Sequence, residues 1–153
     1  MTYSFDTNIF IEMERNYPRE DNRKLWEIIE NRLRQILVSN EVVVELKNKV
    51  HNLRPWIEQF KRSIIASDQI QQNYISLVRK YKRLIDPDTT QHSADFFVIA
   101  LAQKYSATVV SQEILRPNTR CIPYICQQEQ IRCLNLVKFL VAEGDFVIPS
   151  SGI

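Results

Sequence analysis

Apolar positions along the chain follow two spacings, which predict a domain in which short buried strands alternate with helices. Continuous apolar runs predict strands at residues 2–5, 36–39, 64–66, 108–111 and 121–124, and a final edge strand at 146–148. Helical spacing predicts helices at residues 8–16, 21–35, 53–60, 67–85, 93–105 and 129–142. This alternation indicates an α/β domain with a mainly parallel central sheet.

One further segment gives conflicting signals. NEVVVELKNK, at residues 40–49, contains three consecutive valines, which favour a strand by propensity. Ser39 or Asn40 as a helix cap, with apolar residues at helical spacing, favours a helix, and a helix is our prediction. In the helix at 67–85, the positions expected to face the core are Ile70, Tyr74, Leu77, Val78, Tyr81 and Leu84. The polar stretch DPDTTQ predicts a loop at 86–91, and Gly144 is expected to end the last helix.

Length and composition suit a single globular domain. The chain has 153 residues, 44% of them hydrophobic, so we place one domain at residues 1–149 and a loose tail at 150–153. No apolar run approaches the ~20 residues that span a bilayer. The first residues lack the basic and apolar regions of a secretory signal, so we expect a cytoplasmic protein without membrane contact.

Glycine, cysteine and net charge each exclude a class of function. The two glycines lie near the end of the sequence, so neither a GxxxxGK[ST] nor a GxGxxG nucleotide-binding loop occurs. The three cysteines lack the CxxC spacing of zinc and redox sites and are expected to be small buried thiols. A formal net charge of +2 is too small for a general polyanion binder, so any contact with nucleic acid must use local basic clusters.

Four acidic residues occupy positions that the predicted fold brings towards one edge of the sheet. Asp6 follows the first strand, and Glu45 and Glu113 follow two others. Asp95 lies in the apolar helix HSADFFVIALA, where few exposed positions remain for a charge. Because ligands bind beyond the carboxyl ends of parallel strands, we expect these carboxylates to converge.

Each acid also has a simpler structural explanation. Asp6 can cap the helix that follows it, and Glu45 can pair with Lys49 four residues later. Asp95 suits the first turn of a helix, and Glu113 can be an ordinary loop acid. Carboxylates held a few ångström apart, however, repel one another unless a cation lies between them. Oxygen ligands without histidine or cysteine suit Mg²⁺ or Mn²⁺, which support phosphodiester cleavage.

Four motifs carry a resemblance to a known family. The segments SFDTNIF, VVVELKN, SADFFVIALA and VVSQE, in this order, resemble the PIN domain. They resemble most the toxin ribonucleases of prokaryotic toxin–antitoxin modules and a related, largely uncharacterised branch with an ADxxxIA motif. The resemblance covers nearly the whole chain. It implies a three-layer α/β/α fold with a mainly parallel central sheet and an acidic site at the carboxyl ends of the strands.

The resemblance also implies roles for individual residues. The acids that match the four catalytic positions of the family are Asp6, Glu45, Asp95 and Glu113. Of these, Asp6, Asp95 and Glu113 would hold Mg²⁺ or Mn²⁺. The polar residues expected to orient the acids are Asn8, Ser111 and Thr7, the last of which is equally suited to be a plain helix cap. The family more often has an aspartate in a TxD setting at the fourth position, where this chain has Ser-Gln-Glu.

The activity implied is that of a metal-dependent endoribonuclease, the toxin of a type II toxin–antitoxin module. The implied partners are an RNA substrate such as tRNA, a cognate antitoxin and a second copy of the chain in a homodimer. The basic residues predicted to contact RNA are Lys47, Lys49, Arg54, Lys80 and Lys82. The alternative is a PIN-fold module that binds RNA or protein without cutting. A phosphatase of the haloacid dehalogenase type is disfavoured, because Asn8 stands where that chemistry needs a second aspartate.

Overall fold

A computed structural model describes residues 1–49, 53–78 and 94–143, except for the side chain of Arg54. Within these residues, five strands form one sheet in the order β3-β2-β1-β4-β5. The strands are β1 (Tyr3–Phe5), β2 (Ile36–Ser39), β3 (Ile64–Ile65), β4 (Thr108–Val110) and β5 (Cys133–Leu134). Every neighbouring pair is parallel, so the predicted α/β architecture with a mainly parallel sheet is confirmed.

Helices connect and cover the strands. The helices of the described residues are α1 (Thr7–Asn16), α2 (Arg23–Asn31), α3 (Asn40–Lys49), α4 (Arg54–Glu58), α5 (Gln69–Val78), α6 (Ala94–Tyr105), α7 (Ile122–Gln128) and α8 (Leu136–Ala142). A 3₁₀ helix, Leu33–Gln35, joins α2 to β2. The ambiguous segment at 40–49 is α3, so the helical prediction is confirmed there. None of the helices described is long and apolar enough to cross a membrane.

The sheet separates two helical layers, and the alternation of side chains along β1 shows how. Tyr3 and Phe5 point to one face, where their rings lie 4.7 Å and 5.1 Å from the ring of Phe139 in α8. Ser4 points to the other face, where its hydroxyl donates to the carbonyl of Val98 in α6 at 2.7 Å. The helix α6 is buried around most of its circumference, which explains why its sequence is apolar on nearly all sides.

The strand order reverses between β1 and β4, and this places the candidate site. From β1 the chain continues through β2 to β3 on one side, whereas β4 and β5 lie on the other. Phe5 pairs with Val110 at the carboxyl ends of the two central strands, and Asp6 N–H extends the ladder to Val110 O at 3.0 Å. Residues that follow β1 and β4 therefore meet at the switch point of the sheet, where open α/β folds bind ligands.

Two sequence predictions after β4 are wrong. Residues 121–124 were expected to form a strand, but Cys121 caps the helix α7 and Pro123 lies in its first turn, a position that suits proline. The helix expected at 129–142 is interrupted. Gln130 has a left-handed φ of 59°, β5 follows, and α8 begins only after Asn135, whose side chain accepts from Lys138 N–H at 2.8 Å.

Two helices also differ from the prediction in extent or orientation. The helix expected at 21–35 ends at Asn31 and tightens into the 3₁₀ turn. In α5 the buried positions include Gln71 and Val78, whereas Ile70 and Leu77 of the predicted core stripe are 58% and 72% exposed. The buried face is thus offset by one residue from the predicted one. Within it the Gln71 amide nitrogen donates to Ala66 O at 3.1 Å, whereas Gln71 Oε1 has no hydrogen-bond partner among the described residues.

Several predictions lie outside the described residues. They are the second half of the helix at 67–85, the loop at 86–91, the helix end at Gly144, the strand at 146–148 and the tail at 150–153. The extent of the domain, residues 1–149, therefore stays a prediction.

Candidate metal centre

Asp6 is the most buried carboxylate at the switch point. It follows β1, caps α1 and is 2% exposed. One oxygen, Oδ1, accepts from Thr7 N–H at 2.7 Å, and the other, Oδ2, accepts from the hydroxyl of Ser111 at 2.8 Å. One side chain therefore has two roles: Oδ1 of Asp6 caps α1, and Oδ2 is bonded to Ser111 at the candidate site.

Three carboxylates from three different elements meet at this point. Asp6 comes from the end of β1, Asp95 from the first turn of α6, and Glu113 from the loop after β4. One oxygen of each can be chosen so that all three lie within 4.8 Å of one another. These are the three residues predicted as metal ligands, and the fold brings them together from positions far apart in sequence.

The negative charges of these neighbouring acids repel one another. Burial, followed by the nearby charge of Asp95, raises the pKa of Asp6 well above its ordinary value, although the Ser111 hydroxyl acts the other way. Burial and the charges of Glu113 and Glu45 raise the pKa of Asp95 to about 6. A set of carboxylates that resists ionisation is one that a cation would relieve.

Glu113 and Asn8 are held in place by the backbone around them. Glu113 Oε2 accepts from Ile122 N–H, at the start of α7, at 2.6 Å, and Glu113 N–H donates to Ser111 Oγ at 3.2 Å. Asn8 accepts from Gln112 N–H at 2.9 Å and donates to Ser111 Oγ at 3.4 Å. Ser111 is therefore bonded to the Asp6 carboxylate, the Asn8 amide and the Glu113 backbone at once. It orients the Asp6 side chain and anchors the backbone that carries Glu113.

Glu45 lies beside the three acids and not among them. Its Oε2 accepts from the Thr7 hydroxyl at 2.9 Å, and its Oε1 accepts from Lys49 at 2.5 Å. Thr7 thus orients Glu45 with its side chain and Asp6 with its backbone. Glu45 is close enough for its charge to raise the pKa of Asp95, but both of its oxygens already have protein partners.

The donor set fits a hard divalent cation. The three residues supply carboxylate oxygens, and none of the described residues adds a histidine or thiol ligand to this group. Magnesium and manganese prefer such oxygens, whereas zinc sites are usually built with nitrogen or sulfur. Serine and backbone N–H groups around the acids supply the outer hydrogen bonds that metal carboxylates usually have.

Comparison with known proteins places the chain. Residues 3–145 match the model of a family described as a domain of unknown function, DUF4411. The chain belongs to this family. No curated protein matches the sequence.

Solved structures share the fold of this DUF4411 chain. FitAcB from Neisseria gonorrhoeae has a TM-score of 0.59 and 20% identity, over 89% of this chain and 98% of that chain. DNA-bound VapBC from Salmonella typhimurium has a TM-score of 0.58 and 17% identity, over 89% and 98%. VapBC2 from Rickettsia felis, bound to a DNA fragment from its promoter, has 0.55 and 18%, over 88% and 98%. The resemblance to PIN-domain toxins is confirmed at the level of the fold.

Of the five basic residues predicted to contact RNA in the DUF4411 chain, the structure describes the side chains of two, Lys47 and Lys49. Lys47 Nζ lies 3.3 Å from Glu58 Oε1, and Lys49 pairs with Glu45, so both lysines are engaged within the protein. The side chain of Arg54, and all of Lys80 and Lys82, lie outside the described residues. Their contact with RNA stays a prediction.

Two arginines near the acids were missed in the sequence. Arg116 and Arg120 line an open cleft of about 360 Å³ together with Asp95 and Glu113. They lie in an irregular loop and not in a basic run, so charge clustering does not reveal them. The signal that could have revealed them is their closeness in sequence to Glu113, which both follow within seven residues.

Proposed function

We propose that this DUF4411 protein is a metal-dependent endoribonuclease and the toxin of a toxin–antitoxin module. The observation that carries the proposal is the convergence of Asp6, Asp95 and Glu113 within 4.8 Å at the switch point of the sheet. An acidic site of this kind, without a basic side chain bonded to any of its three ligand oxygens among the described residues, favours a divalent cation over an internal salt bridge.

The chain's own residues have separable roles in the proposed site. A divalent cation bound there would supply a Lewis acid for the phosphate and a lowered pKa for a bound water. Asp6, Asp95 and Glu113 would hold it, and Ser111 would keep Asp6 oriented. Glu45 is the proposed catalytic acid outside the metal ligands, and its side chain is oriented by the hydrogen bond from Thr7.

The proposed partners follow from the fold. FitAcB and VapBC are among the solved structures that share it, over nearly their full length. We therefore propose a cognate antitoxin for this chain, RNA such as tRNA as the substrate, and a homodimer as the active assembly. Mg²⁺ or Mn²⁺ is the proposed cofactor, for which the oxygen donors are suited.

A second function has one specific observation in its favour. Glu113 commits Oε2 to Ile122 N–H, and a carboxylate in that state offers only its other oxygen freely. Glu113 also stands where the related toxins more often have an aspartate, and an altered ligand at this position suits a module that binds RNA or protein without cutting it. Cleavage assays distinguish the two functions directly.

The decisive experiment measures cleavage of a labelled single-stranded RNA and of a tRNA mixture by purified protein. We expect cleavage with millimolar Mn²⁺ or Mg²⁺ and none with excess chelator. Asp6→Asn and Asp95→Asn should each reduce the rate at least about 100-fold, because each removes a charged ligand. Asp21→Asn, which changes an exposed acid outside the site, is the matched control and should cleave like the wild type.

Two results would contradict the proposal. Cleavage that persists at the wild-type rate in both Asp6→Asn and Asp95→Asn would mean that the acids are not the reactive centre. Absence of cleavage in every metal, together with tight RNA binding, would favour the non-cutting module.

A further inference from the structure

The loop between β4 and α7 is built to return towards the acids. Within it, the Thr119 hydroxyl donates to Arg116 O at 2.6 Å and accepts from Cys121 N–H at 3.3 Å. Arg116 N–H donates to the Cys121 thiol sulfur at 3.3 Å, and the Tyr124 hydroxyl donates to Asn118 Oδ1 at 3.0 Å. These bonds preorganise the backbone that carries Arg116 and Arg120, so the two arginines project from a fixed turn.

The two arginines lie beside the acidic site, and neither forms an ion pair among the described residues. Arg116 and Arg120 line the same cleft as Asp95 and Glu113. Arg120 is close enough for its charge to lower the pKa of Asp95, against the larger effect of burial. Both arginines are exposed, and neither guanidinium donates to an acid in the part of the chain that the structure describes.

The net charge of the proposed site with its metal bound suggests a role for these two arginines. Three ionised carboxylates carry three negative charges, and one divalent cation neutralises two of them, which leaves the site repulsive to a phosphate. Lys49 and Lys47 do not correct this, because each is paired with a glutamate. Arginine suits the task, because its planar group can donate two parallel hydrogen bonds to one phosphate.

We propose that Arg116 and Arg120 bind phosphates of single-stranded RNA next to the cleavage point, on the side of the site bounded by Asp95 and Glu113. This inference rests on the proposed function and assigns a substrate-binding surface to it. The two arginines contact the sugar–phosphate backbone and read no base, since backbone contacts position a substrate without carrying sequence information. They set the affinity for RNA and the path of the strand across the acids.

The test measures binding of a fluorescent single-stranded oligouridine by anisotropy, in Mg²⁺, over a range of salt concentrations. Binding is measured in Asp6→Asn, so that the RNA stays intact, and with Arg116→Gln or Arg120→Gln added. We expect each arginine change to weaken binding roughly 3–10-fold, and to lower the slope of log Kd against log salt by about 0.7. Arg116→Lys should keep the slope and recover part of the affinity.

The matched control is Arg62→Gln. It removes one exposed positive charge at the opposite end of the sheet, before β3, so it reports the effect of net charge alone. Melting temperatures should not change in any arginine variant, because the side chains are exposed. If Arg116→Gln and Arg120→Gln weaken binding no more than Arg62→Gln does, the inference is wrong.

Failure of the inference and failure of the proposed function give different results. If wild type cleaves RNA and both arginine variants keep its KM and kcat, the nuclease stands and the phosphate-binding pair is overturned. If the arginines govern RNA affinity but wild type never cleaves, the phosphate-binding pair stands and the nuclease is overturned. We expect a rise in KM, with kcat changed less than about twofold, in the cleaving protein.

Discussion

At the residue scale, Asp6 shows both how far the sequence leads and where it stops. Its position at a strand end predicts either a helix cap or a site acid, and in the structure it is a cap whose second oxygen is bonded to Ser111. The bond to Ser111 spans 105 residues and depends on the register of β1 against β4. No local pattern contains that register, so the family resemblance, and not the spacing of the residues, nominated Ser111 as a residue that orients the acids.

Asp95 provides a test of the electrostatics of the site. Its pKa is about 6 in the folded protein against an ordinary value of 3.8, so the carboxyl is more easily protonated when folded. The sign follows from linkage. Without metal, folding stability is highest below pH ~4 as far as Asp95 is concerned, and it falls as the pH rises through 6. The loss above that pH is up to about 3 kcal/mol.

Asp95→Asn should therefore stabilise the metal-free protein at pH 7.5 and have little effect at pH 4. The measurement is urea unfolding in chelator across that range, with Asp21→Asn as the matched control for loss of a surface charge. An equal effect of Asp95→Asn at both pH values would show that the carboxyl is not strained by its neighbours.

At the element scale, residues 111–113 connect the acids to the two helices that follow. Glu113 accepts from the first N–H of α7, and the side chain of Gln112 accepts from Leu136 N–H, the first of α8, at 2.8 Å. Both helices were mispredicted because they were assigned as a strand and as part of a longer helix. Capping by a side chain from another element supplies stability that local propensity does not show.

This connection predicts a difference between two caps of the same helix. Gln112→Ala and Asn135→Ala each remove one acceptor from the first turn of α8 and should each cost about 1 kcal/mol of stability. Only Gln112→Ala should also weaken Mn²⁺ binding, by roughly 3–10-fold, because Gln112 lies between Ser111 and Glu113. Titration calorimetry on both variants measures this. Equal Mn²⁺ affinity in the two variants would show that the contact of Gln112 with α8 does not affect the metal site.

At the scale of the whole molecule, the fold was more predictable than the site. Alternating strands and helices suffice for a parallel sheet. Strand ends nominate Asp6, Glu45 and Glu113, and the apolar surroundings in its helix nominate Asp95. Spacing alone does not separate Glu45 from the other three acids. The family resemblance made that separation, and in the structure it depends on side-chain contacts such as that of Thr7 with Glu45. Arg116 was missed for a related reason, since its place beside Asp95 arises from the return of an irregular loop.

Metal binding should stabilise the entire domain, because a ligand that binds only the folded state raises its melting temperature. At ten times its Kd, Mn²⁺ should add about 1.4 kcal/mol, or roughly 4 °C. Scanning fluorimetry of wild type, Asp6→Asn and Asp21→Asn tests this at one pH. We expect the rise in wild type and Asp21→Asn only. A rise of the same size in Asp6→Asn would place the ion elsewhere.

The dependence of residues 111–113 on later parts of the chain has a consequence during translation. Ser111 N–H donates to Leu134 O in β5 at 2.9 Å, and the side chain of Gln112 accepts from Leu136 N–H at the start of α8. A nascent chain that has emerged only as far as α7 has the bond of Asp6 to Ser111 and that of Glu113 to Ile122. It lacks the two bonds that join Ser111 to β5 and Gln112 to α8. Residues 111–113 would thus be fully held only after the start of α8 has been synthesised.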